Sequence, residues 1–143
     1  MTAGIVATLA GGAFAGAALY ISLVEHPARL ECGAAIAVSE FRPSYRRAAV
    51  MQASLAGVGA LAALVAWWSS ARGGWLVGGL LLGSVIPFTL VVVLPTNRRL
   101  LDPTLDAAST EAANLLARWG RLHALRTAAS TAAFTLFVLL SSS

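Results

Sequence analysis

Trp75-Leu-Val-Gly-Gly-Leu-Leu-Leu-Gly-Ser-Val-Ile-Pro-Phe-Thr-Leu-Val-Val-Val-Leu94 runs for twenty residues without a charge. A helix rises 1.5 Å per residue and bilayer hydrocarbon is about 30 Å thick, so this stretch has the length of one membrane crossing. Its surroundings read the same way. Ala3 to Val24 is charge-free and closes at Glu25-His26-Pro27, and Ala48 to Trp68 is charge-free and ends on a Trp67-Trp68 pair suited to an interfacial belt. A fourth apolar run, Thr127 to Leu140, has fourteen residues and cannot cross alone. Either it only dips into the bilayer or it recruits the amphipathic turns from about Ser109 to Arg126, which draws Trp119, His123 and Arg126 to the membrane.

The expected spans are about 3–26, 44–70, 74–97 and 119–141 of one integral membrane domain covering residues 1–143. Short connections make successive helices antiparallel, so the fold class is all-α, a transmembrane up-down four-helix bundle. Composition agrees, because 58% of the residues are hydrophobic and 11% charged, against about 25% charged in soluble domains. Pro43 suits the first turn of the second helix and Pro87 predicts a kink in the third. Gly12 and Gly16, one turn apart, predict close helix approach on the first. Met1-Thr2-Ala3 lacks the positive charge of a cleaved signal peptide, so the first span is expected to be retained.

All ten basic residues are arginines, and nine of them lie between spans one and two or between three and four: Arg29, Arg42, Arg46, Arg47, Arg98, Arg99, Arg118, Arg121 and Arg126. Only Arg72 falls on the other side. The positive-inside rule puts both charged connections in the cytoplasm and both termini outside, in what is expected to be the plasma membrane. The net charge of +4 is therefore a topology signal and not a nucleic-acid signal. Cys32 is the only cysteine, which excludes an intrachain disulfide, a CxxC redox pair and a cysteine-ligated iron–sulfur cluster. Membrane lipid is the expected surrounding partner, and a homo-oligomer is compatible with the sequence.

The same topology gathers the chemistry at one membrane face. Tyr20 and His26 come from span one, Tyr45 and Gln52 from two, Thr96 and Asn97 from three, and Trp119, His123 and Arg126 from four. Trp119, His123 and Arg126 are spaced four and three apart and share a helical face, as do Tyr45 and Gln52 at a spacing of seven. Intramembrane ionisable groups that face a bundle interior are functional candidates, so His26 and His123 stand out from residues that merely mark the interface or snorkel. Two readings stay open. The histidines could ligate a metal or, facing each other, a haem, although no HxxxH or ExxH pattern is present. Alternatively, a neutral imidazole abstracts a proton while Arg126 or Asn97 stabilises the resulting oxyanion. Serine or cysteine nucleophilic catalysis has no support.

Three segments taken together resemble the anthrone-oxygenase-like family of small four-helix membrane proteins: Gly16 to Arg29 with its Glu25-His26-Pro27, Pro87 to Arg98 with its Pro95-Thr96-Asn97-Arg98, and Arg118 to Arg126 with its Trp119-Gly120-x-x-His123. The resemblance covers essentially the whole chain. It implies an oxygenase of polyketide chemistry that oxidises the activated methylene of an anthrone with molecular oxygen as co-substrate and no metal or flavin cofactor. It places the family's motif residues at His26, Asn97, Trp119 and His123. The expected ligand is a hydrophobic aromatic small molecule, with either histidine as base, Trp119 and Tyr20 stacking on its rings, and Tyr45, Gln52 and Thr96 completing the binding site. The competing class is a non-enzymatic membrane protein that binds a lipid or small hydrophobic ligand or docks a partner. A transporter fits poorly, because the half of the bundle near the termini has almost no polar residue to line a path.

Overall fold

A computed structural model describes residues 2–142. The described residues form four helices, each long and apolar enough to cross a membrane: α1 (Thr2–Glu31), α2 (Ala34–Ser70), α3 (Gly73–Leu101) and α4 (Thr110–Ser141). Each packs on two neighbours, α1 and α3 both lying against α2 and α4, with little contact across the diagonals. The chain is thus an all-α up-down bundle.

Every helix is longer than the hydrocarbon requires. The 30 residues of α1 reach roughly 45 Å, so the arginine-bearing stretches expected as connections are helical extensions beyond the apolar spans. This corrects one boundary. The second helix starts at Ala34 and contains Pro43, where the start was expected near residue 44. Of the two readings of the fourth run, it recruits the amphipathic stretch before Thr127, which is continuous with the last span. Ser109 starts α4 as an N-cap, its hydroxyl accepting from the Ala112 N–H at 3.1 Å. The α1–α2 link reduces to Cys32-Gly33, with Gly33 at φ 86°, and α2 ends with Ala71 in the left-handed region.

Two helices share one irregularity. A π turn occupies Ile21–Glu25 in α1 and Thr89–Val93 in α3, bridged by His26 N–H to Ile21 O and by Leu94 N–H to Thr89 O. In each case a proline, Pro27 or Pro95, follows two residues after the turn. Proline donates no hydrogen bond and its ring crowds the carbonyl four residues back, and the wider turn accommodates both effects. One inserted residue also rotates the rest of the helix by about 100°. That rotation brings His26 and Arg29 of α1 inward, while α3 buries Thr96, Asn97 and Leu100 beyond its own wide turn.

The terminal half of the bundle is apolar and close-packed. Trp75 stacks on Phe137 with centroids 5.5 Å apart, and small residues bring backbones together. A Cβ on Gly59 would sit 2.6 Å from Leu82, and one on Gly11 3.0 Å from Phe137. Gly12 likewise faces Phe134, whereas Gly16 meets nothing within 4 Å and has no part in close approach. At the opposite end Arg42 donates to the Leu100 and Asp102 carbonyls at 3.3 and 2.9 Å, satisfying the end of α3. Arg99 pairs with Glu111 and Asp102 across the α3–α4 connection. The Thr104 amide and hydroxyl, together with Arg99, hold the Asp102 carboxyl below the usual carboxylate range.

Candidate functional site

Between these two ends the bundle encloses a cavity of about 180 Å³. One water needs roughly 10–15 Å³ of such space, so the cavity is sized for a small organic molecule. Its walls are mainly apolar, from Phe14, Ile21, Phe41, Ala56 and Val85, and its polar groups are few. At the α2–α3 seam Ala53 and Leu90 line it while being exposed on the outer surface, so the mouth opens sideways through that seam.

α4 contributes the central column, with Trp119, His123 and Arg126 all lining the cavity from one face of an unbroken helix. His123 is 1% exposed. Its Nδ1 lies 3.2 Å from the Ser22 hydroxyl and 3.3 Å from that of Thr127. Arg126 donates through Nη2 to Gln52 Oε1 at 2.9 Å and lies over the Phe14 ring at 5.7 Å. Among the described residues no carboxylate pairs with it. Its Nε and the Gln52 Nε2 are buried without a hydrogen-bond partner.

α2 supplies Gln52 and Tyr45 to the same cavity. Asn97 of α3 is 1% exposed and donates through Nδ2 to the Tyr45 hydroxyl at 3.1 Å, so Tyr45 keeps its own proton to donate elsewhere. The cavity is therefore lined by N–H and O–H donors from Arg126, Gln52 and Tyr45. Among the described residues the one acid on its wall, Glu25, is taken by Arg29 and by the Ser44 hydroxyl at 3.0 Å.

The remaining expected residues take three different positions. His26 is buried but stands behind Trp119, with ring centroids 5.0 Å apart, and lines a separate crevice in the α1–α4 seam together with Gly120 and Arg121. Thr96 is buried beside Asn97 without reaching the cavity. Tyr20 is a correction. It is 56% exposed and faces outward, because the buried stripe of α1 runs through Phe14, Ala18 and Ile21, and Tyr20 lies about 100° around the helix from Ile21.

Each histidine packs on Trp119, and no cluster of three or more His, Cys, Asp or Glu side chains able to hold a metal ion occurs among the described residues. Sequence reasoning missed Ser22, Thr127, Arg29, Phe14 and Phe41 at or next to the cavity. The available signal was positional: Ser22 precedes His26 by one turn and Thr127 follows His123 by one turn. It is weak, because hydroxyls on membrane helices usually bond their own helix, as Ser54 does to Val50 O.

A family model described as anthrone oxygenase matches residues 41–136, well over half of the chain. No curated protein and no solved structure matches.

Proposed function

Because the chain belongs to the anthrone oxygenase family, we propose that it oxidises a lipophilic phenolic or polyketide-type aromatic with molecular oxygen inside the bilayer, using His123 as base. The observation that carries this reading is the pairing, on one helical face of an apolar cavity, of a buried imidazole with an arginine that no carboxylate neutralises. A buried guanidinium in a membrane favours an anion, and the anion formed by deprotonating an anthrone-like substrate carries its charge on oxygen.

The chemistry proceeds in balanced steps. His123 removes one proton from the activated methylene, and the electron pair left behind delocalises onto the ring oxygen. That oxyanion meets the donors of Arg126, Gln52 and Tyr45. The electron-rich ring system reduces molecular oxygen, forming a C–O bond to a peroxide that takes the proton back from His123. Loss of the second C–H proton with cleavage of the O–O bond gives the carbonyl and water. The net change is CH2 plus O2 to C=O plus H2O, with no resident cofactor. Trp119 and Phe41, 5.2 Å apart edge to face, offer a wall for the flat rings. The mouth between α2 and α3 suits a substrate that partitions into lipid.

The test is oxygen uptake by purified protein in lipid nanodiscs supplied with an anthrone, with and without chelator. Uptake with one carbonyl formed per oxygen consumed is the expected result. No uptake with any activated phenol would turn the reading to a hydrophobic-ligand binding protein. A Soret band or stoichiometric iron, copper or zinc in active protein would overturn the absence of a cofactor.

We also infer that both termini face outside, since nine of ten arginines cluster at the opposite end. Cys32 is exposed in the α1–α2 connection. It should resist a membrane-impermeant thiol reagent in intact cells and react after lysis, and labelling in intact cells would reverse the topology.

A further inference from the structure

His123 has two ring nitrogens, and only a neutral one carrying a lone pair can act as base. Two hydroxyls and two carbonyls decide which nitrogen that is. Thr127 Oγ1 lies 3.1 Å from the His123 carbonyl and 3.3 Å from the Ala18 carbonyl. Carbonyls only accept, so both contacts are hydrogen bonds only when the single Thr127 proton points to them. The Thr127 oxygen is then an acceptor for its nearest neighbour, the Ser22 hydroxyl at 2.8 Å. With its proton given to Thr127, the Ser22 oxygen is in turn an acceptor for His123 Nδ1 at 3.2 Å. The hydrogen bonds run one way, from the ring to the backbone.

We propose that Ser22 and Thr127 are positioning residues that lock His123 in the Nδ1–H tautomer, leaving the Nε2 lone pair as the base. Ser22 owes its place to the π turn of α1, within which it lies, so the wide turn before Pro27 supplies the partner that orients a histidine on α4. During proton abstraction the substrate C–H bond breaks, its electron pair stays on the substrate, and the proton adds to Nε2. The imidazolium keeps its Nδ1–H bond to Ser22, and no hydroxyl needs to turn. The pair thus acts without touching substrate. This inference rests on the reading of His123 as base for its kinetic consequence, but the tautomer itself does not depend on any activity.

The experiment has a spectroscopic and a kinetic arm. In 15N-histidine-labelled protein in nanodiscs, the resonances lost in His123→Gln identify the ring. They should place a protonated nitrogen at δ1 and an unprotonated one at ε2. Finding the proton on ε2 in the unaltered protein overturns the proposal. Ser22→Ala and Thr127→Val should each shift the balance toward the other tautomer, while Thr127→Ser, which returns the hydroxyl, should restore it. An unchanged tautomer in both hydroxyl-deleted variants also overturns it.

In the oxygen-uptake assay kcat should fall roughly 5- to 10-fold in Ser22→Ala and Thr127→Val, as the competent tautomer becomes a minority species, with KM little changed and recovery in Thr127→Ser. Full kcat in both variants beside an inactive His123→Gln would end the positioning role while leaving the base in place. The expected tautomer in a protein whose His123→Gln variant keeps full activity would end the base assignment and leave the hydrogen-bond chain standing.

Discussion

Two arginines line the same cavity and are treated in opposite ways. Arg29, 6% exposed, is held by Glu25 and by Glu40 at 2.5 Å, and lies against Phe41 and Trp119. Its charge is answered within the protein. Arg126, deeper along the bundle, has a neutral glutamine amide and the face of Phe14. A guanidinium in low dielectric with only neutral neighbours is costly unless another negative charge is present for part of the cycle. On the proposed function, the difference divides the layers: Arg29 closes the charged end, and Arg126 is where an anionic ligand oxygen would rest. Trp119 is the partition, touching Arg29 on one side and His123 on the other.

The sharpest way to break that division is at the histidines. Replacing His123 with glutamine keeps a polar group on the cavity wall and removes the base, and kcat for oxygen uptake should fall by at least about 10². His26→Gln, behind Trp119 and off the cavity wall, should cost less than about 10-fold. Steady-state rates with one anthrone measure both. A larger loss at His26 than at His123 would move the base to the seam crevice and dissolve the distinction between the layers.

The arginines come next. Arg126→Lys keeps the charge but loses the planar set of donors, and because the oxyanion forms only on deprotonation it should lower kcat about 10-fold with the protein still folded. Arg29→Lys should instead act on stability. Breaking a partly buried network held by two carboxylates costs on the order of 1–3 kcal/mol, visible as a lower unfolding midpoint with KM unchanged. If thermal stability drops with Arg126→Lys and kcat falls with Arg29→Lys, the two layers have been assigned in reverse.

The architecture was legible because charge-free runs report directly on bilayer length, and four of them leave little choice of fold. Helix ends were not. Arg42, Arg46 and Arg47 read as a polar connection, yet such residues continue a helix well once it leaves the hydrocarbon, and Pro43, read as a first-turn residue, lies inside the helix at the loss of one hydrogen bond. At the site, the column Trp119, His123, Arg126 was legible from spacing alone, since a straight helix preserves it. The register of α1 was not, because the π turn rotates everything after Ile21 relative to what precedes it. That is why His26 is buried behind the cavity, whereas Tyr20, ahead of the turn, faces outward simply because it lies off the buried stripe of the regular helix. Ser22 and Thr127 meet only through tertiary packing between helices about a hundred residues apart in sequence, which no local pattern reports.

Gly120 tests the partition itself. A Cβ there would lie 2.7 Å from His26 Nε2, so Gly120→Ala must push the imidazole, and with it Trp119, out of place. Overpacking of this kind costs about 1–3 kcal/mol. The expected outcome is a lower unfolding midpoint and a loss of kcat of a few fold, smaller than that of His123→Gln. Shortening the opposing residue in the double variant Gly120→Ala, His26→Ala should recover the midpoint in part, as contacting positions are not additive. No recovery would mean that the glycine serves something other than room for His26.

The smallest effect is expected at the mouth. Ala53 and Leu90 face lipid and line the cavity at once, so bulk added at Ala53 narrows the lateral opening without touching His123 or Arg126. Leucine is as comfortable in lipid as alanine, which keeps Ala53→Leu from disturbing the fold. A substrate that enters sideways should then show KM raised only about 2-fold and kcat nearly unchanged, with a tricyclic anthrone affected more than a single-ring phenol. If both KM values stay as they were, the cavity is reached from the charged end instead, past Glu25 and Arg29. The layer that closes the bundle would then also have to open for each turnover, and Arg29→Lys should change KM after all.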